Sequence, residues 1–331
     1  MSENIFEVDH LSLHYLGRFG DKTHAVTDVS FSMKQGEILG IAGESGCGKS
    51  TLVSGLMGMC IPPLFPTSGD VRVKNGDKME SLMNRSIEDV RSNVLAQKVS
   101  MIPQGAFNAL NPVRKIKDIA ADVIAAHQTA GNINKNEIYD RLRERFDLFG
   151  MDTNRVLNSY PIQLTAGERQ RSVIGISTLL NPQMVIADEP TSALDVSTQK
   201  EVIKMIFDLL DKGIFSTMIF ITHELPLLYH VADNIAIMYA GEIVEKGTAE
   251  QVVKDPRHPY TQALMGAMLS TEQSQRTRKP VAIEGAPPSL KKAIVGCRFA
   301  DRCARACADC KKNTQELRIV GDRQVRCDYA K

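Results

Sequence analysis

The segment EILGIAGESGCGKST, residues 37–51, restricts this chain more than any other stretch. A short apolar run, Ile38 to Ala42, leads into Gly43-Glu44-Ser45-Gly46-Cys47-Gly48-Lys49-Ser50, and an apolar helical pattern, TLVSGLMGM, follows. The spacing G-x-x-x-x-G-K-S between a strand and a helix is that of a P-loop. Its glycines let successive backbone N–H groups turn inward on phosphate oxygens, and the helix N-terminus adds partial positive charge. In such a loop Lys49 reaches the β- and γ-phosphates and the Ser50 hydroxyl binds Mg²⁺. The nucleotide-binding set expected here is Gly43, Ser45, Gly46, Cys47, Gly48, Lys49, Ser50 and Thr51. Cys47 belongs to it through its backbone rather than its thiol.

A matching strand end follows at QMVIADEP, residues 183–190. Four apolar residues run into Asp188 and Glu189, and Pro190 stops the strand. Beside a P-loop, the first carboxylate is placed to hold the Mg²⁺ shell, and the second to orient or deprotonate an attacking water. A third apolar run, TMIFITHE (217–224), ends in His223. A lone histidine after a buried strand is ordinarily structural. As the third terminus of one parallel sheet, His223 would instead face the γ-phosphate, because ligands of such sheets bind at the carboxyl edge. ATP binding with hydrolysis is the expected chemistry.

Composition narrows the setting. Forty basic and thirty-nine acidic side chains give a formal charge of +1, which argues against a broad nucleic-acid-binding surface. The opening MSENIFEVDH has no apolar core of a signal peptide, and no run approaches the eighteen apolar residues of a membrane span. A soluble, cytoplasmic chain is expected, with its thiols reduced and disulfides disfavoured.

Together with these motifs, SYPIQLTAGERQR (159–171) and TSALD (191–195) resemble the ABC-type ATPases. The resemblance implies an α/β fold: a RecA-like mixed-sheet core plus a helical subdomain, here followed by a small Cys-rich C-terminal extension. It implies a core and N-terminal β-subdomain over 1–104 and 176–255, a helical subdomain over 105–175, and the extension over 256–331. Gln104 falls at the glutamine that senses Mg²⁺ and the transmembrane partner, and Tyr15 where an aromatic stacks on adenine. Lys49, Gln104, Glu189 and His223 become the catalytic set, and Ser50, Gln104 and Asp188 the Mg²⁺ set. Asp195 matches the D-loop aspartate. Thr165, Ala166, Gly167 and Glu168 stand in the signature motif, which acts on ATP held by the opposite subunit.

AFNALNPVRKI, KDPRHPYTQALM (254–265) and EGAPPSL (284–290) are similar to a narrower family, the ATP-binding subunits of dipeptide, oligopeptide and nickel importers. That implies two ATPases on the cytoplasmic face of the membrane, under two permeases fed by an extracytoplasmic binding protein. The segment around Gln104–Pro112 would receive a permease coupling helix, and STEQSQRTRKP (270–280) reads as a linker. No internal repeat supplies a second ATPase within this chain. Oligopeptides or dipeptides are the expected cargo, with oligosaccharides or nickel as alternatives. A soluble ABC ATPase of DNA repair or translation is the competing class; the neutral charge and the RHPYT segment argue against it.

The signature reads Leu164-Thr165-Ala166-Gly167-Glu168 where the family has Leu-Ser-Gly-Gly-Gln. Ala166 adds a methyl where backbone and phosphate crowd, and Glu168 adds a negative charge near an anionic ligand. The expectation is a heterodimer with unequal sites, favoured over a homodimer, with this chain's own P-loop in the competent one; a Thr-Ala-Gly-Glu signature that works adequately is the alternative.

Five cysteines close the chain: Cys297, Cys303, Cys307, Cys310 and Cys327, in a region poor in large apolar residues. A small segment needs a staple, and in a reducing compartment the available one is a metal. Four thiolates suit Zn²⁺ or an iron–sulfur cluster, and the spacing alone leaves both open, with no metal as a third reading. The importer resemblance implies a [4Fe–4S] cluster on Cys297, Cys303, Cys310 and Cys327, leaving Cys307 spare, with Zn²⁺ as the alternative.

Overall fold

The computed structural model describes residues 3–105, 109–127, 135–192, 194–267, 283–292 and 294–330. Its strands are β1 (Asn4–Leu16), β2 (Lys22–Lys34), β3 (Ile38–Ala42), β4 (Leu64–Asn75), β5 (Lys78–Ser81), β6 (Val99–Ile102), β7 (Met184–Asp188), β8 (Thr217–Ile221), β9 (Asn234–Tyr239), β10 (Glu242–Thr248), β11 (Arg318–Val320) and β12 (Arg323–Val325). A smaller antiparallel sheet has the order β2-β1-β4-β5, and a larger mixed sheet the order β11-β12-β10-β9-β3-β8-β7-β6.

Within the larger sheet β9, β3, β8, β7 and β6 run parallel, with β3 between β8 and β9. Every residue of β3, β7 and β8 is buried, because both faces of this sheet are covered. Alternation divides them between two cores. Leu39, Ile41, Ile186, Ile219 and Ile221 pack toward the antiparallel sheet. Val185, Ala187, Met218 and Phe220 pack toward the helices, where Ile124, Phe146 and Ile174 close the other core. The helix Lys49–Leu56 follows β3 across the loop 43–48, and helices Ile116–Ala125, Lys135–Leu148, Thr153–Asn158 and Ala166–Ser177 carry the signature region.

β9 and β10 form the hairpin read from NIAIMYAGEIVEKG, turning at Ala240 (φ 46°) and Gly241 (φ 90°). The C-terminal region does not stand apart from the cassette. β12 pairs with β10, Glu245 opposite Val325 and Lys246 opposite Gln324, so it lengthens the main sheet. The expected linker 270–280 lies outside the described residues, as do 106–108 of the expected permease-facing segment. Among the described residues no helix is long and apolar enough to cross a membrane.

Candidate nucleotide site and cysteine cavity

The ends of β3, β7 and β8 open on one groove of about 740 Å³, a size suited to a nucleotide. Tyr15, Ser45, Gly46, Gly48, Lys49, Ser50, Thr51, Gln104, Glu189 and His223 line it. Gly43 and Cys47 lie on the buried side of the loop, where burial pushes the Cys47 thiol up. Gly48 has φ 106°, and a Cβ there would meet the Ala25 carbonyl oxygen at 2.3 Å, so only glycine fits. Lys49 Nζ donates to the carbonyls of Gly43 (2.8 Å) and Glu44 (3.1 Å). The Tyr15 hydroxyl is 3.1 Å from Thr51 Oγ1 and its ring is part exposed at the mouth of the groove.

Glu189, just past the end of β7, is met from the ends of β6 and β8. Its Oε2 accepts from Gln104 Nε2 at 3.0 Å, and its Oε1 stands 3.4 Å from His223 Nδ1. Its φ of 45° puts it in the left-handed region, held by a bond from its amide to the Ile221 carbonyl at 2.9 Å. Strain of this kind in a non-glycine residue persists where surrounding structure over-determines it, and such residues cluster at active sites. Asp188 sits behind it. Burial, then the neighbouring Glu189 charge, pushes its carboxyl up, while Lys49 and the Ser50 hydroxyl act the other way. A divalent cation bound at Ser50 would favour the ionised form. The arrangement offers a cation and backbone amides to phosphates, oxygens to Mg²⁺, and a held carboxylate to a water.

The signature and Asp195 do not line this groove. Thr165 caps the helix Ala166–Ser177, accepting from the Glu168 amide at 3.2 Å, while Glu168 accepts from the Thr165 amide at 2.9 Å. Glu168 also pairs with Arg155. Burial works against its charge, but the Thr165 amide and the Arg155 guanidinium outweigh it and hold the carboxyl below its usual range. The added charge read from the sequence is therefore engaged within the chain. Asp195 caps the helix Val196–Asp211, bonding the Ser197 and Thr198 amides and the Thr198 hydroxyl.

Several residues at the site escaped sequence reading, and all bring the C-terminal region against the P-loop. Leu290 lines the groove, and its carbonyl accepts from the His24 amide of β2 at 2.9 Å. The Glu44 amide donates to the Tyr260 hydroxyl at 3.1 Å. Glu44's carboxylate is held by Arg302. Beneath them Tyr239, Tyr260 and Phe299 pack edge-to-face or tilted, with ring centroids 4.5–5.4 Å apart. The HPY triplet builds this support: the buried Glu245 accepts from the amides of Arg257 and His258, and His258 Nδ1 accepts from the Tyr260 amide. Burial lowers His258 to about 3, so its ring is neutral. No local pattern points to Arg302 or Leu290.

Cys297, Cys303, Cys310 and Cys327 line a second, small cavity with His258, Phe299 and Tyr329. Cys307 is exposed outside it, its sulfur 3.4 Å from that of Cys310. Burial pushes Cys297 up to about 11, and the neighbouring Cys327, Cys310 and Cys303 add to this. The Cys297 amide donates to the Cys310 carbonyl at 2.7 Å, which ties the backbone at these two cysteines together. Among the described residues no three or more His, Cys, Asp or Glu side chains are arranged to hold one metal ion.

Residues 26–192 match the ABC transporter family model, and residues 244–310 match the oligopeptide/dipeptide transporter C-terminal region. A probable peptide ABC transporter ATP-binding protein of Sinorhizobium fredii is 34% identical over 314 residues, covering 95% of this chain and 91% of that one. The oligopeptide transport ATP-binding protein OppD of Bacillus subtilis is 36% identical over 305 residues, covering 91% and 82%. Among solved structures, a dimeric ATP-binding cassette in a post-hydrolysis state with ADP and Pi superposes with a TM-score of 0.62. It is 23% identical and covers 74% of this chain and 99% of its own, which establishes the common cassette fold.

Proposed function

The chain belongs to the ABC transporter family, and we propose that it is the ATP-hydrolysing subunit of a peptide importer on the cytoplasmic face of the membrane. As an ABC ATPase it works on ATP with Mg²⁺. One observation carries the reading. A single chain holds a nucleotide groove organised around Glu189 and, in residues 244–310, the C-terminal region of oligopeptide/dipeptide transporters. The two similar proteins named above are both, by name, ATP-binding proteins of peptide or oligopeptide transport, which favours peptides over oligosaccharides or nickel.

In this reading Lys49 leaves the carbonyls of Gly43 and Glu44 for the β- and γ-phosphates. Ser50 and Gln104 serve the Mg²⁺ shell, with Asp188 behind. Glu189, steadied by Gln104 and His223, takes a proton from the water that attacks the γ-phosphorus, and ADP leaves. Tyr15 covers the adenine. Thr165, Ala166, Gly167 and Glu168, together with Asp195, serve the ATP of an opposing subunit, which explains their absence from this chain's own groove. The cassette core is 1–104 with 176–255, the signature-bearing helices 105–175, and the C-terminal region 256–331. Two permeases receive the stroke, and a binding protein outside the membrane selects cargo. Ala166, where the family signature has glycine, favours a second, different ATPase as the partner.

The fit of an iron–sulfur cluster rests on the cavity: the four thiols lining it are Cys297, Cys303, Cys310 and Cys327, and Cys307 is outside. Four thiols around one space are a donor set that a [4Fe–4S] cluster or Zn²⁺ would take, and the importer resemblance favours the cluster. When bound, such a cluster supplies the staple that so small a segment lacks.

The test is reconstitution of the chain with its permeases and second ATPase in membranes. Peptide-loaded binding protein is expected to raise ATP turnover several-fold. A chain that assembles only into soluble complexes, or whose turnover ignores peptide, contradicts the reading.

A further inference from the structure

An acidic residue inside a phosphate cradle is a paradox. Glu44 is the second residue of the P-loop, and its charge opposes the polyanion that the loop must accept. The structure resolves this with a cation from far along the chain. Arg302 Nη1 donates to Glu44 Oε2 at 2.8 Å and Nη2 to Oε1 at 3.0 Å, a bidentate pair linking residues 258 positions apart. The Arg302 side chain is only 6% exposed. Its guanidinium is held on its remaining sides. Nε donates to the Glu284 carbonyl (3.0 Å), Nη2 to the Ile283 carbonyl (3.3 Å) and Nη1 to the Tyr239 hydroxyl (3.2 Å).

The rest of Glu44 is equally constrained. Its amide is bonded to Tyr260, and its carbonyl accepts from Lys49 Nζ and, at 3.2 Å, from the Cys47 amide. That carbonyl is thus one of those that hold the Lys49 ammonium at the groove. Behind the loop, Pro287, Pro288 and Leu290 close a small cavity with Glu44, Ser45, Gly46 and Cys47. Arg302 itself ends the short turn Ala300–Arg302, directly before Cys303 of the cysteine cavity. The neutralising charge is therefore delivered by the turn that leads directly into a cavity thiol.

We infer that Arg302 is a positioning residue for the nucleotide site: it cancels the Glu44 charge and pins the P-loop from the cysteine-bearing region. ATP affinity then depends on how that region is folded. The inference rests on the reading of the groove as an ATP site. A simple docking contact for the C-terminal region would also use this ion pair, but it would not tie the Glu44 charge to nucleotide affinity.

The discriminating measurement is binding of a fluorescent ATP analogue with Mg²⁺ to the full chain. Arg302→Ala is expected to weaken binding about tenfold, the scale of losing a charge-assisted pair. Arg302→Ala combined with Glu44→Gln is expected to recover most of that loss although its thermal midpoint stays below wild type. Glu44→Gln alone is expected to weaken binding less than Arg302→Ala does, because it removes the opposing charge along with the ion pair. An unchanged affinity in Arg302→Ala overturns the inference, as does a double variant as weak as the single one, or a Glu44→Gln loss as large as that of Arg302→Ala. Lys49→Ala is the control: if it binds nucleotide normally, the ATP reading fails, and not the role of Arg302.

Discussion

The nucleotide groove and the cysteine cavity lie within one bonded framework yet are built on opposite plans. In the groove each charged group is held by polar partners. Lys49 rests on two carbonyls, Gln104 donates to Glu189, and His223 stands beside the same carboxylate. A ligand can take over each of these contacts and return it. The cavity is small, with largely apolar walls, and its lining thiols Cys297, Cys310 and Cys327 are pushed up by burial. Its loops are tied from outside by arginines next to cysteines. Arg298 bonds Glu242, Arg302 bonds Glu44, and Arg326 bonds the carbonyls of Ile243, Gln315 and Asp28. On the proposed reading, the difference separates a site for exchange from one that would hold a resident ligand.

The largest effect should come from the exchange site. Glu189→Gln removes the general base while keeping the bond from Gln104 possible, so phosphate release should fall by about 10²–10⁴-fold. Nucleotide binding, read by the same fluorescent analogue, should stay close to wild type. Turnover that survives the change would mean that the held carboxylate is not the base, and the groove would lose the feature that most distinguishes it from the cavity.

A much smaller effect is expected at the signature. Glu168 keeps its cap on Thr165 when Arg155 is removed, and the Arg155 side of the pair is about half exposed and so screened. Arg155→Ala should lower turnover of the assembled transporter by only about two- to threefold, the scale of a surface ion pair. A loss approaching that of Glu189→Gln would place Arg155 on the partner's ATP instead.

What the sequence made legible follows the same division. The P-loop is contiguous, so its spacing, the apolar run before it and the helix after it were readable together; Asp188, Glu189 and His223 became readable once one parallel sheet was assumed. Gln104, Tyr15 and the signature needed a family resemblance, because a lone glutamine or tyrosine has no local pattern. The chemical consequence of Glu168 was not readable, since it depends on Arg155, thirteen residues away on another helix. Least legible was the contact of the C-terminal region with the P-loop. Glu44 and Arg302 are brought together only by β9, β10 and the aromatic cluster beneath them, and periodicity carries no trace of a pair so distant. The pairing of β12 with β10 was missed for a related reason: RQV is three residues long, too short for any alternation to register.

The most direct test of a resident-ligand cavity beside an exchange groove is iron content per chain in anaerobically purified protein after prolonged dialysis without nucleotide. Wild type should retain about four irons and a brown colour while losing its nucleotide. Cys307→Ser should keep the iron, and Cys310→Ser should lose it. A colourless wild type, or equal iron in the two variants, would contradict the account.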